Sequence, residues 1–409
     1  MNNPAHHASS ERTAWVWAIG WLLSIYMTIP LARTIQEYIR DHGGKQLFLW
    51  ATYTVLVVAG VAVARDMARA RAVRHPASLV LLLAIGGLFA WLTWALRANP
   101  EESLHFVQYG VLGWLLFRAL RFRLADPSIY VAGLMIGAAA GICDELIQWV
   151  VPRRFFDFRD IGINILSGVL VQAALAWGVR PDGIAGPWSA RGVAISARWL
   201  LVMLGMVMFA LANNHDLKMR YELVIPLAKK IPEITAEYGF RHEVAGVGSF
   251  RSRLNAAEWV RQDRERGAEI AALLDPIRSD VEYYKFLDRT PAHLDPLPVE
   301  TRIRIFRRDR HAHLYRDGGA EFSANEHARI AWRENELLER HAPGIMSRSR
   351  HRWPPETAEE FRRAAAPGEE YESPVSGHLI TAFSRRTAVI ALAGMMMLVL
   401  LVERKASKR

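Results

Sequence analysis

Apolar residues in this chain are gathered into long runs, roughly 14–32, 46–64, 77–96, 104–120, 129–151, 161–179 and 195–213, with an eighth near 387–402. Each run approaches the roughly 20 residues an α-helix needs to cross a bilayer, so the pattern predicts about eight transmembrane helices. The first run is too long for the apolar centre of an ordinary secretory signal, and Arg33 follows it without a small-residue cleavage site, so it counts as a retained span. Between the seventh and eighth runs the pattern turns to dense charge. The expected fold is therefore an all-α polytopic membrane helix bundle with an inserted small α+β domain. Its expected parts are a seven-span membrane domain over 1–213, a soluble domain over 214–385, and a last span with a basic tail over 386–409.

Inside the charged segment, local signals set the expected elements. Asn255 with Glu258, and Ser323 with Glu326, read as capping boxes that open helices. Asp275-Pro276 reads as a further start, with Pro at the first helical position. The alternation Thr301-Arg302-Ile303-Arg304-Ile305-Phe306 predicts a half-buried strand, with Arg310 to Tyr315 as its hairpin partner. On that strand His311 and His313 would share one face, with His327 nearby in sequence, but no third ligand stands at a metal-site spacing. A solvated strand face is the expectation there, and Arg307-Arg308-Asp309-Arg310 reads as a wet edge that discourages strand pairing.

Composition changes this picture in two places. The net charge of +10 would suggest a nucleic-acid partner in a soluble protein, but the arginines here flank the spans and no nucleic-acid motif accompanies them. Arg65, Arg69, Arg71 and Arg74 follow the second span, Arg118, Arg121 and Arg123 the fourth, Arg180, Arg191 and Arg198 the sixth, and a basic tail the eighth. With eight spans all of these lie on one side, which the positive-inside rule makes cytoplasmic. Both termini then face inward, 214–385 is extracytoplasmic, and the expected location is the bacterial cytoplasmic (inner) membrane. The loop from Pro152 to Asp160 on the outer side is also arginine-rich, but it carries acids as well. The single cysteine, Cys143, forbids an internal disulfide, so the outer domain must be held by packing.

Three span ends on the outer side carry polar stripes. Glu102, His105 and Tyr109 stand at i, i+3 and i+7, one helical face. Asp144 and Glu145 lie four and three residues before Gln148, and Asp157, Asp160, Asn164 and Gly168 follow at spacings of three, four and four. Asp144 precedes Pro152 by eight residues, roughly 12 Å of helix, which puts it below the headgroups. An acid deep in a bilayer costs about 2.5–3.5 kcal/mol and normally faces a partner or a wet cavity. Two adjacent acids point about 100° apart, so both cannot face lipid comfortably. Such groups can simply lock three helices together, with Gly137, Gly141 and Gly168 permitting close approach. The gathering of His105, several carboxylates, Arg153, Arg154 and Arg159 at one rim exceeds what packing needs and predicts a polar pocket.

The ordered set His105-x-x-x-Tyr109, Gly113, Asp144-Glu145-x-x-Gln148, Pro152-Arg153-Arg154 and Asp157-x-x-Asp160-x-x-x-Asn164-x-x-x-Gly168 resembles the VanZ-like membrane family over roughly 77–180. Glu102 stands where that family often carries a lysine. The resemblance implies a cell-envelope role, in a family associated with glycopeptide antibiotic resistance, and it supplies no settled reaction.

The residues then suggest roles. His105 is the candidate general acid or base, with Asp144 and Glu145 as further catalytic groups. Glu102, Tyr109, Gln148, Arg153, Arg154 and Asn164 would line the ligand site, the arginines taking an anionic head group. Asp157 and Asp160 could hold a divalent cation through hard oxygens. The expected activity is hydrolysis or group transfer on an anionic membrane lipid or lipid-linked envelope precursor. The alternatives are a non-catalytic lipid or glycan binder, or a structural subunit docking a membrane-protein partner through 214–385. A transporter is disfavoured because no inverted repeat is visible. No serine elbow, Walker loop or zinc signature is present.

Overall fold

The computed structural model describes residues 4–42, 44, 46–69, 76–97, 100–152, 154–231, 234–318, 322–368 and 370–408. The chain is 74% helical and divides into two compact units, Met1–Thr235 with Ala388–Arg409, and Ala236–Thr387.

The first unit contains α1 (Pro4–His42), α2 (Gln46–Arg69), α3 (Pro76–Ala95), α4 (Leu104–Leu120), α5 (Ser128–Val150), α6 (Phe158–Ala173), α7 (Ala190–Ala212) and α8 (His215–Glu222). A short 3-10 turn, Pro100–Ser103, leads into α4, and α6 continues as a π-helical turn over Ala174–Val179. Tyr221 donates to Asn213 at 2.9 Å and Thr235 to the Ala210 carbonyl at 2.6 Å, so residues 214–235 fold back on the end of α7.

The second unit begins with the antiparallel strands β1 (Phe240–Val244) and β2 (Gly248–Ser252), and β3 (Tyr371–Glu372) joins β2 in parallel. That junction requires glycine at position 248: its φ is +146°, and a Cβ there would lie 1.9 Å from the Tyr371 carbonyl oxygen. Among the described residues six helices follow: α9 (Ala256–Leu274), α10 (Asp280–Arg289), α11 (Pro296–Asp317), α12 (Ala324–His341), α13 (Pro343–Met346) and α14 (Pro355–Ala364). Phe250, Trp259, Ile270, Leu274, Leu297 and Ile305 form the centre of its core. The last helix, α15 (Arg385–Ser407), returns to the first unit.

Among the described residues six helical stretches are long and apolar enough to cross a membrane, Ser9–Leu31, Pro76–Ala95, Ser128–Val150, Phe158–Val179, Ala190–Ala212 and Arg385–Ser407. The two other apolar runs form shorter helices, Gln46–Val61 and Leu104–Leu120. Burial ranks them: 56% of the α5 window and 50% of the α6 window are covered by protein, against 17% for α3 and 11% for α15. The centre of the bundle is therefore α4, α5 and α6. Gly141 lets α5 approach α6 closely, since a Cβ there would sit 2.9 Å from the Asn164 Cβ. Ser167 donates to the Phe106 carbonyl and Gln172 to the Gly113 carbonyl, both at 2.9 Å, tying α6 to α4.

Capping chemistry behaves as read at Asn255, whose box with Glu258 is closed in both directions, whereas Ser323 caps α12 by accepting from the Glu326 N–H and the Glu326 carboxylate accepts from Arg329 instead of completing the box. Three expectations in the second unit are corrected. Residues 301–306 and 310–315 form no hairpin but lie within α11, where Ile305 and also Arg302, Arg304 and Arg308 are buried, which blurs the apolar period. Arg308 is 1% exposed, so this run is not a wet edge. Asp275 ends α9 instead of opening a helix, its carboxylate accepting from the Arg350 N–H at 2.8 Å, and α10 opens four residues later with a capping box on Ser279.

Candidate functional site

The site is built from the α4 start inward. Ser103, buried on the 3-10 turn, shares a 3.0 Å hydrogen bond with Thr52 of α2 and anchors that turn. Beside it Glu102 pairs with Arg159, at 2.9 Å and 3.1 Å for the two guanidinium nitrogens. One step along α4, His105 Nε2 lies 3.9 Å from Asp160 Oδ2 on the first turn of α6. A turn deeper, the Tyr109 ring lies nearly parallel to the His105 ring, with centroids 6.4 Å apart. The Tyr109 hydroxyl faces the Asp144 carboxylate, and the Asn164 amide faces the His105 ring.

Glu145 has a different setting. Its Oε1 accepts from Gln148 Nε2 at 2.7 Å and its Oε2 from the Asp157 backbone N–H at 3.0 Å, so it pins the α5–α6 loop. Gln148 in turn accepts from Arg154 Nε at 3.0 Å and also from Arg154 Nη2. The Asp157 carboxylate caps α6 by accepting from the Arg159 N–H at 2.7 Å. Among the described residues no group of three or more His, Cys, Asp or Glu side chains is placed to hold a metal. Arg153 lies outside the described residues.

The cluster is nearly closed. Asp144 and Asn164 are 2% exposed, whereas the His105 and Asp160 side chains are 14% and 17% exposed, so the latter pair forms its mouth. Their facing pairs are loose: among the described residues His105 Nδ1, Tyr109 OH, Asp144 Oδ1 and both polar atoms of the Asn164 amide are buried without a hydrogen bond of ordinary geometry. Each such group costs about 1–3 kcal/mol when left unmatched.

Residues 46–178 match the VanZ/LLP1 family. This VanZ-like part runs from α2 to the π-helical turn after α6 and holds every site residue named above, while α1, α7, α15 and the second unit lie outside it. Together with the apolar helices it points to a membrane protein. No curated protein and no solved structure matches the chain.

One neighbour of the VanZ-like cluster carried no signal in the sequence. Tyr26 on α1 donates to the Ala140 carbonyl at 2.9 Å and stands beside Cys143 and Asp144. A lone tyrosine in an apolar run has no spacing to betray that contact.

The second unit gathers polar residues too. His311 on α11 and His327 on α12 approach at 2.9 Å between their Nδ1 atoms, while His313 is exposed and pairs with Asp317 at 3.0 Å, so the two histidines of His-x-His face apart. Burial first, then the Arg307 charge, holds His311 down to about 4. Burial likewise holds His341 down to about 4, with His242 beside it. At the core, Glu334 accepts from Tyr371 at 2.6 Å and Ser373 at 2.7 Å and pairs with Arg304 and Arg307 at 3.4 Å and 3.3 Å.

Proposed function

We propose that the α4–α6 cluster is the working site of a VanZ-like envelope protein, opening to the extracytoplasmic face and acting on an anionic lipid-linked ligand by hydrolysis or group transfer. The observation that carries this reading is the convergence of His105, Tyr109, Asp144 and Asn164 from three helices, with the Tyr109 hydroxyl turned to the Asp144 carboxylate and the Asn164 amide to the His105 ring. His105 sits at the mouth, where it can take or give a proton, and Asp160 orients its ring. Asp144 supplies a second base below it. Glu145, Gln148 and Asp157 position the α5–α6 loop rather than touch ligand.

The reading also rests on the arginine distribution: with all eight apolar runs crossing, the positive-inside rule sets the α4 start and the second unit outside and both termini in the cytoplasm. A binding protein without turnover is the second reading. It is favoured by Arg154, whose guanidinium is held by the neutral amide oxygen of Gln148 and keeps its charge for an anionic head group.

The test is mass spectrometry of membrane lipids and of lipids co-purified with the protein, for wild type, Asp144→Asn and His105→Ala at matched expression. A lipid product present only with wild type is expected. An unchanged lipid pool, with one species retained by all three forms, would sink the catalytic roles.

A further inference from the structure

At the other end of α4 the structure holds a second polar cavity, of about 590 Å³, within the range of small-molecule sites. Its walls come from the first turns of α1, with Ser9, Ser10, Thr13 and Trp17, and from the end of α4, with Arg118 and Arg121. His105 and Arg121 are 16 residues apart, about 24 Å of helix, so this cavity lies at the opposite end of the bundle from the α4–α6 cluster. Two arginines take a phosphate, with the polar serine and threonine wall beside them, while the indole packs against an acyl chain or glycerol. No acid lines the cavity among the described residues, and Glu11, on the same stretch of α1, pairs with Arg123. Arg118 lies over the Trp114 ring at 4.9 Å, which fixes its guanidinium near the cavity wall. α1 lies outside the matched family segment, so the cavity exists only where this chain adds its first helix to the VanZ-like core.

We infer that the cavity between the α1 start and the α4 end binds the phosphate of an anionic phospholipid head group at the membrane face opposite the α4–α6 cluster. The ligand class is a phosphodiester lipid, and the shared phosphate chemistry would also admit a soluble glycerol phosphate.

The experiment is native mass spectrometry of the full-length protein in detergent, titrated separately with phosphatidylglycerol, phosphatidylcholine and glycerol 3-phosphate. Phosphatidylglycerol should be retained over both others. The double variant Arg118→Gln/Arg121→Gln should weaken it on the order of tenfold, from two lost surface cations. Thr13→Glu, an exposed helical position at the rim, should weaken it too, while Arg191→Gln, an exposed arginine away from the cavity, should leave it unchanged. Equal retention of phosphatidylcholine, or full retention by the double variant, would overturn the site. Equally tight binding of glycerol 3-phosphate would replace the lipid by a soluble phosphate and overturn the lipid assignment. None of these variants touches His105 or Asp144, so the outcome is independent of the α4–α6 site.

Discussion

Two buried polar clusters in this chain look alike in composition and differ in how they are matched. In the second unit, Glu334 is fully buried and accepts from Tyr371 and Ser373 while pairing with Arg304 and Arg307, so that its carboxylate is met by four donors and Arg304 Nε is the loose atom of the network. In the VanZ-like core, Asp144 is just as buried but leaves an oxygen unmatched, as do Tyr109, His105 and Asn164 around it. A matched network fixes one packing, whereas an unmatched one holds polar groups ready at a cost in stability.

That contrast can be broken most sharply at Glu334. Replacing it by alanine leaves Arg304 buried without its carboxylate and should cost about 3–5 kcal/mol, read by denaturant unfolding of the full chain. A loss below about 1 kcal/mol would mean the network is not structural. Gly141→Leu should come next. Its side chain would be driven into Asn164, wedging α5 from α6 at about 1–3 kcal/mol and blocking any ligand processing, as thermal stability and the lipid assay would both report.

Asp144→Asn should behave oppositely to Glu334→Ala, keeping the melting temperature of wild type or slightly exceeding it while lipid processing vanishes. A large drop in melting temperature would move Asp144 into the structural class. The smallest effect is a pH tilt in the second unit. Folding holds His311 and His341 near 4 instead of the ordinary 6.5, so the unfolded chain takes up protons first as pH falls. Their contribution is complete above about 6.5 and is lost between there and about 4. Around His311 the charged neighbours are Arg307, Arg310, His327 and Glu326, of which only the last opposes the shift. The protection factors of α11 and α12, which remove the intrinsic pH dependence of amide exchange, should fall as pH drops through that window and fall less in His311→Phe. Protection factors that stay constant there would mean the histidines do not set the tilt.

The apolar runs and the i, i+3, i+4 polar stripes were legible because a helix facing both lipid and a polar seam writes its period into the sequence. Gly141 was legible for the same reason, as a small residue where two helices meet. The α11 helix was not, because it buries Arg302, Arg304 and Arg308 alongside Ile305 and therefore has no clean apolar stripe. Alternation over six residues then imitated a strand. The partnership of Glu102 with Arg159 was also invisible, since 57 residues separate them and only the packing of α4 on α6 joins them.

The second unit starts and stops at the same spot. Gly239 N–H donates to the Ile380 carbonyl at 3.0 Å, and Ile380 N–H donates to the Glu237 carbonyl at 2.8 Å. Chain ends that clasp each other make a cassette: evolution could splice such a unit into a loop before α15, or an engineer could excise 239–379 and bridge the gap with a short linker. Cargo can be exchanged at that clasp while the helices on either side keep their order.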